Sequence, residues 1–487
     1  MSFRERFYFR NPHKVIPQLF ASVAAATGFL NTGMMRGWSS PGVPSLVESG
    51  QMELSTNDIS WISSLPLVGA FVGSFLAGYP MDKIGRRKTL VLVSPLFSVA
   101  WFLVGFASNK WMVLIGRTLM GLMSGMGNPA SQIYIAECAS PRVRGALGSF
   151  TAVLLGVGIL LGYLFGGFLS WNDEAILIGF FPIFQGFCMY FAPSSPVWLL
   201  TKNRPEEAKE ALQRFRGGET NIEAEFERIL ESASKNKDAG KITISDFFER
   251  SVFKPAVLSL MIMLLQQLSG FSAIIYYNAT IFESTGSSLD RNVSSVIIGF
   301  LLVVCTVLSI TLVDRAGRRL LLLTSSLAMS LSLASMGVYF YVKENTATDE
   351  SWNITHTLSW LPLACLMVYI IAFASGFNSV PFLILGEILP LRFRNVLGGI
   401  SSGCNLLTGF AVVKMYPLLV KSIGSHGVFW IYAASCIFGS IFIYFFLPET
   451  KGKTIQEIED FFCKLPMVEV EENQDMLRNT KNKQENV

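Results

Sequence analysis

Apolar residues run in long blocks along this chain, and polar residues are gathered into short clusters between the blocks. The stretches 296–313 and 320–342 show the pattern: each is predominantly apolar and carries no acid. About 20 such residues in a helix cross the hydrocarbon of a bilayer, since each adds about 1.5 Å to a path of about 30 Å. The pattern predicts twelve spans, over 14–38, 57–80, 89–108, 111–136, 145–170, 175–195, 255–280, 293–313, 320–342, 358–386, 396–420 and 427–447. The expectation is an all-α membrane protein.

Charge then sets direction. One set of short loops holds Lys83, Arg86, Arg87, Lys88, Arg142, Arg144, Arg315, Arg318, Arg319, Arg392 and Arg394, whereas the other holds only Lys110, Arg291, Lys343 and Lys421. Cytoplasmic loops carry the excess of Lys and Arg, so the first set and both termini are expected in the cytoplasm. The first span is expected to be retained, because it is too long for a signal-peptide core.

Between the sixth and seventh spans lies a charged block. Pro205 suits a first helical position, Glu206–Arg216 reads as a helix ended by Gly217 and Gly218, and Ile222–Ser232 reads as a second. After the last span, Thr454 and Glu457 form a capping box that opens a short helix with Ile455, Ile458 and Phe461. The chain therefore divides into a first half over 1–200, a helical linker over 201–250, a second half over 251–450, and a helix with a polar tail over 451–487.

Composition narrows the classes. Half of the 487 residues are hydrophobic (51%) and 15% are charged, too few charges for several soluble domains. The net charge of +4 does not indicate nucleic acid, because the basic residues flank spans. None of the 7 cysteines forms a C-x-x-C pair and the 3 histidines are far apart, so neither a disulfide framework nor a metal site is expected. No cofactor is expected either. Asn353, in an N-x-T sequon between the ninth and tenth spans, is the glycosylation candidate; the sequons at Asn278 and Asn292 lie inside or against spans.

The most informative pattern is a duplication. Asp82-Lys-Ile-Gly-Arg86-Arg87 after the second span returns as Asp314-Arg-Ala-Gly-Arg318-Arg319 after the eighth. Glu137 precedes Arg142 and Arg144 by five and seven residues; Glu387 precedes Arg392 and Arg394 at the same offsets. Pro193-Ser-Ser-Pro196 after the sixth span is matched by Pro448-Glu449-Thr450 after the twelfth. Three pairs in one order indicate two parallel six-span halves, an architecture common in transporters. Acids and arginines at helix ends form charge-assisted hydrogen bonds, and such contacts on one face would latch it shut. The expected latch comprises Asp82, Arg86, Arg87, Arg117, Glu137, Arg144, Asp314, Arg318, Arg319, Glu387, Arg394 and Glu449.

On these motifs the chain resembles the sugar porters of the major facilitator superfamily over nearly its whole length. DKIGRR, DRAGRR, the stretch from Gly116 to Ser149, QQLSG at 266–270 and FLPETKGKTIQEIE from Phe446 carry the resemblance, and GWSSPGVPSL is most like insect trehalose carriers. The resemblance implies that Gln266, Gln267 and Asn405 hydrogen-bond sugar hydroxyls; each is equally able to bond between helices. It also implies that Tyr276 and Tyr277 close an outer gate, with an aromatic belt as the alternative, and that Gly270 loosens the helix below them.

Departures stand beside the matches. Ser272 and Leu302 replace family asparagines, Ala152 a glutamine, and Phe382 a tryptophan that stacks on sugar; Asn378 and Ser379 return some polarity. Ser39 stands where proton-coupled relatives carry a carboxylate, and the span interiors hold no Asp or Glu. Arg36 is expected to reach the outer interface, with lining of the entrance as the alternative, and Lys414 to face a cavity or a carbonyl. The implied function is facilitated transport of trehalose or a hexose across the cell membrane by a monomer, with sugar and lipid as its partners. A polyol carrier, a proton symporter and a non-transporting sensor are the alternatives.

Overall fold

Every regular element among the described residues is helical. The structure, a computed structural model, describes residues 12–140, 143–217, 222–237, 247, 250–286, 289–345, 358–390, 392–453, 457, 458 and 462. Nine of the described helical stretches are long and apolar enough to cross a bilayer. Their outward surfaces are apolar too: Phe75, Phe106, Phe168, Phe184 and Phe445 stand exposed, as side chains facing lipid do.

The first half comprises α1 (Pro12–Glu48), α2 (Thr56–Leu76), α3 (Gly78–Lys83), α4 (Arg86–Gly105), α5 (Lys110–Cys138), α6 (Arg144–Phe168) and α7 (Trp171–Phe191). Three helices follow in the charged block: α8 (Pro196–Thr201), α9 (Pro205–Arg216) and α10 (Glu223–Lys237). The second half comprises α11 (Arg250–Leu268), α12 (Phe271–Tyr276), α13 (Asn278–Thr285), α14 (Arg291–Ala316), α15 (Arg318–Asn345), α16 (Leu361–Ser375), α17 (Val380–Ile388) and α18 (Arg394–Phe446). α18 is two helices joined across Gly424, whose backbone (φ 73°, ψ 166°) is not helical. Glu344 accepts from the Ser425 N–H at 3.0 Å there, which caps the second part.

α1 runs ten residues beyond the limit read at residue 38, through Pro41 and Pro44. In water those prolines would end a helix. Here Pro41 packs against Gly166 of α6, and neighbouring helices support the lost backbone bonds. α1 and α6 lie almost in backbone contact, since a Cβ on Gly33 would sit 2.2 Å from the Leu155 carbonyl. α2 and α5 meet in the same way: a Cβ on Gly121 would be 2.1 Å from the Pro66 carbonyl. Lipid gives apolar helices no hydrophobic reason to associate, so close approach through small residues supplies the packing.

The halves touch where α2 meets α18, α6 meets α14, and α1 meets α12 and α13. The linker belongs physically to the first half. Trp198, Leu199, Leu200, Ala208 and Ala211 form a small core under Phe226 and Ile229. Arg216 donates to the Cys138 carbonyl at 3.1 Å, and Phe215 packs edge-on against Tyr134. Gly217, left-handed at φ 81°, ends α9 where the sequence places its stop. Asn353, Thr454, Ile455 and Phe461 lie outside the described residues, as does the Asp314 side chain.

Candidate functional site

Two helices break where they pass each other. α11 stops at Leu268 and α12 starts at Phe271, with Gly270 between them at φ 88°. A Cβ on Gly270 would lie 2.4 Å from the Tyr432 ring, so both the backbone and the packing require glycine. The other break, between Ser375 of α16 and Val380 of α17, frees backbone carbonyls. Gln266 fills one of them, donating Nε2 to the Phe377 oxygen at 2.5 Å.

From there a closed network extends. Asn405 of α18 donates Nδ2 to Gln266 Oε1 at 2.7 Å and to the Met263 carbonyl at 2.9 Å. Gln267 donates Nε2 to Asn405 Oδ1 at 3.0 Å and accepts from Ser272 Oγ at 2.5 Å. All four side chains are buried. The structure thus brings Gln266, Gln267, Ser272 and Asn405 together, and leaves out two candidates. Asn378 donates instead to Thr306 Oγ1 of α14 at 3.2 Å, and Phe382 is 49% exposed on α17. The first half carries a smaller buried polar set that the sequence reading missed: Asn31 donates to Gln185 at 2.7 Å and Thr32 to Asn128 at 3.1 Å.

On the face away from the arginine clusters, contacts cross between the halves. Ser40 accepts from the Ala279 N–H at 2.9 Å, and Tyr163 donates to the Ile275 carbonyl at 2.7 Å. Lys414 donates to Asn57 Oδ1 and Ser60 Oγ, both at 2.7 Å, and sits 4.0 Å over the Trp61 ring. Arg291 pairs with Glu48 at 2.7 Å and Glu283 at 2.9 Å. Tyr276 and Tyr277 lie beneath these contacts, 1% and 4% exposed, which rules out an aromatic belt. Tyr277 donates to the Val413 carbonyl at 3.2 Å and stacks on Tyr416 at 5.0 Å.

The arginine clusters repeat bond for bond. Arg86 reaches Glu137 at 3.0 Å; Arg318 reaches Glu387 at 2.9 Å. Ser195 donates to Glu137 at 2.5 Å as Thr450 donates to Glu387 at 2.5 Å. Arg87 bonds the Tyr190 carbonyl and Arg319 the Tyr444 carbonyl, each arginine lying over the ring of that tyrosine. Arg144 donates to the Ala139 carbonyl at 3.5 Å, and Arg394 to the Leu389 carbonyl at 3.3 Å. Asp82 is exposed and only 3.9 Å from Arg86, a weak surface pair. The symmetry fails once. Glu449 accepts from the Arg318 and Arg319 N–H groups at 3.0 and 3.1 Å and so caps α15, whereas its counterpart in the first half is Ser194 and α4 starts with no side-chain cap at Gly85. Burial pushes the Glu449 carboxyl up, but four backbone N–H donors outweigh it and hold the group below the ordinary range. The partners named here for Arg86, Arg87, Arg144, Arg318, Arg319 and Arg394 all lie in the arginine's own half.

One expectation needs correction. Arg117 is not in a cluster at that face. It is fully buried near the opposite end of α5, where it donates to the Ile62 and Met35 carbonyls at 3.1 and 3.0 Å, bonds Ser39 Oγ, and lies 5.0 Å over Trp38. Arg36 lies twelve residues before the end of α1 at Glu48 and is half-buried, with its Nε buried and unpartnered. One acid at the edge of a span is buried inside the protein. Glu174, one residue before the span read at 175, is fully buried in the first turn of α7 beside Gly166 and Pro41.

Comparison with known proteins agrees with this geometry. The family described as "Sugar (and other) transporter" matches residues 23–462. The chain belongs to that family. It is 36% identical to the facilitated trehalose transporter Tret1 of Bombyx mori over 442 residues, 91% of this chain and 86% of that protein. It is 34% identical to Tret1 of Polypedilum vanderplanki, over 92% of this chain and 88% of that one. Among solved structures, the inward-open xylose transporter XylE from E. coli superimposes with a TM-score of 0.75, at 24% identity, over 90% of this chain and 98% of that one. The chain therefore has the fold of a major facilitator sugar transporter, and transport, not enzymatic turnover, is its class.

Proposed function

We propose that this family member is a facilitative carrier that moves a sugar, trehalose or a hexose, across the plasma membrane by alternating access. In this reading it has twelve spans. The nine apolar stretches are joined by α1 and α5, and α18 counts as two because of Gly424. The arginine clusters and both termini face the cytoplasm. The conformer is then closed to the outside by the contacts of Ser40, Tyr163, Arg291 and Lys414. The clusters brace each half as a rigid body through bonds made within that half.

The buried network of Gln266, Gln267, Ser272 and Asn405 carries the reading. Carboxamides and a hydroxyl present both donors and acceptors, the complement of a polyhydroxylated ring. Their present bonds to one another are exchanged for bonds to substrate at small net cost. Names of the relatives point to trehalose, and Ser39, uncharged and bonded to Arg117, favours uniport.

Glu174 favours a second reading, a proton-linked carrier, because a fully buried carboxylate whose two oxygens have no hydrogen-bond partner is a natural proton site. Uptake of labelled trehalose, glucose and a polyol into liposomes, with and without an inward proton gradient, separates the two. Sugar uptake indifferent to the gradient is expected. Stimulation by the gradient that disappears in Glu174→Gln would establish the second reading instead.

A further inference from the structure

Lys414 is a half-buried cation in α18, ten residues before the kink at Gly424, about 15 Å of helix. A charge within a span is costly and needs a partner. Asp58 of α2 does not serve, since it is taken by Lys110 at 3.3 Å and by the Ser55 N–H at 3.1 Å. The groups that hold Lys414 are neutral and come from the other half. Its ammonium donates to Asn57 Oδ1 and Ser60 Oγ at 2.7 Å and sits 4.0 Å over the Trp61 ring. Residues 57, 60 and 61 share one face at the start of α2, so one ammonium binds a whole helix end. Trp61 also packs on Phe410, one turn before Lys414, with ring centroids 5.9 Å apart.

The other contacts described between the halves on this face are weaker in kind. Arg291 pairs with Glu48, an acid 55% exposed, where water and salt screen the attraction. Ser40 and Tyr163 each make one neutral hydrogen bond, to a backbone group. A bond to a charged group is roughly twice as strong as a neutral one. Lys414 makes two of them and adds a cation–π contact.

Deeper along the same pair of helices the contact changes character. Gly403 of α18 meets the Phe71 ring of α2, which a Cβ on that glycine would approach to 3.2 Å. This apolar contact lies eleven residues from Lys414, about 16 Å of helix. A ring against a glycine tolerates a change of tilt, whereas two hydrogen bonds of 2.7 Å do not. Rocking of α18 on α2 about Phe71 therefore breaks the Lys414 bonds. We propose that Lys414 is the positioning residue that decides which face the empty carrier opens. Its bonds to Asn57, Ser60 and Trp61 exist only while this face is closed, and they hold the resting carrier open toward the arginine clusters. This rests on the carrier reading above and assigns that carrier its resting state.

Ser63 is placed to report on the closure, being 0% exposed and one turn below Ser60 on α2. The test uses the full chain carrying Ser63→Cys, in vesicles of one orientation, with a membrane-impermeant maleimide added on this face. Modification is read at that residue by mass spectrometry. Methionine has a similar reach and no charge, so Lys414→Met removes the latch without leaving a buried ion. It should raise the labelling rate about tenfold, equivalent to about 1.4 kcal/mol of bias. Lys414→Arg should keep the rate close to that of the parent. Asn57→Ala should also raise the rate, and should add little to Lys414→Met, because both remove the same bond. Glu48→Gln should change it less than twofold. A rate unaltered by Lys414→Met, or effects of Lys414→Met and Asn57→Ala that add in full, would overturn the proposal, while sugar uptake by the unaltered protein keeps the carrier reading standing. Uptake of no sugar by the unaltered protein would overturn both. Should Lys414→Met fail to fold, Asn57→Ala decides from the other half: a raised rate supports the latch and an unaltered one overturns it.

Discussion

Gln267 links Asn405 to Ser272 in the polar network, donating to the first and accepting from the second. Gln267→Ala removes a donor and an acceptor from a buried site, so the half-saturating sugar concentration should rise roughly tenfold at unchanged surface expression. Unaltered uptake kinetics would remove the residue from the site. Glu449 gives a pH signature. Its carboxyl is held below the ordinary range in the folded chain, so the stability it adds is complete above the unfolded value of about 4.3 and is lost as the pH falls through the lower folded value. Thermal unfolding in detergent should show a step in that acid window, absent in Glu449→Gln, which should also cost roughly 1 kcal/mol at neutral pH. At this scale the sequence was most legible where a motif fixed both residue type and neighbour, as with Gln266, Gln267 and Asn405. It was least legible for Arg36, Arg117 and Glu174. A hydropathy pattern places a charge along a span but not around it, and those three differ from interfacial charges only in which way they point and how far the helix continues.

Among the elements, the breaks matter more than the spans. Gly270 combines a left-handed backbone with ring contact to Tyr432, so Gly270→Ala strains both. It should cost roughly 2–4 kcal/mol, the left-handed penalty and overpacking together, and lower the unfolding midpoint accordingly. A midpoint equal to that of the unaltered protein would show that the break tolerates a side chain. The break at Gly270 was expected from the family resemblance, which implies a glycine that loosens the helix below Tyr276 and Tyr277. The break at 376–379 and the length of α1 were not. Prolines read as stops in α1 and as part of a span in α16–α17, and packing, not propensity, decided each case: Pro41 is supported by Gly166, while the Phe377 carbonyl is filled by Gln266. The kink at Gly424 falls in the gap the pattern left between 420 and 427.

Across the whole molecule the duplicated motifs became duplicated geometry. Arg86 with Glu137 and Arg318 with Glu387 occupy equivalent corners, each backed by a hydroxyl from the end of its half, Ser195 and Thr450. The hydroxyls had no signal of their own beyond their position after the sixth and twelfth spans. What holds the halves to each other is on the opposite face, built from Lys414 and Arg291, two of the few cations there, with Ser40 and Tyr163. Loop charge revealed the side of Arg291 but not its partner Glu48, which comes from the other half, and it said nothing of Lys414, which was read inside a span. A closure on that face made of a few hydrogen bonds and ion pairs, beside two internally braced halves, is the arrangement expected of a carrier that rocks between two states at modest cost.

Counterflow tests this most directly. Liposomes containing the protein are loaded with unlabelled trehalose or glucose at equal pH on both sides, then diluted into a trace of the same sugar carrying label. A facilitative alternating-access carrier should draw label inward above its outside concentration for a time, with no proton gradient and no net driving force on the label, before it drains to equilibrium. Label that enters only when a proton gradient is imposed, or that never exceeds the outside concentration although it enters, would contradict the account.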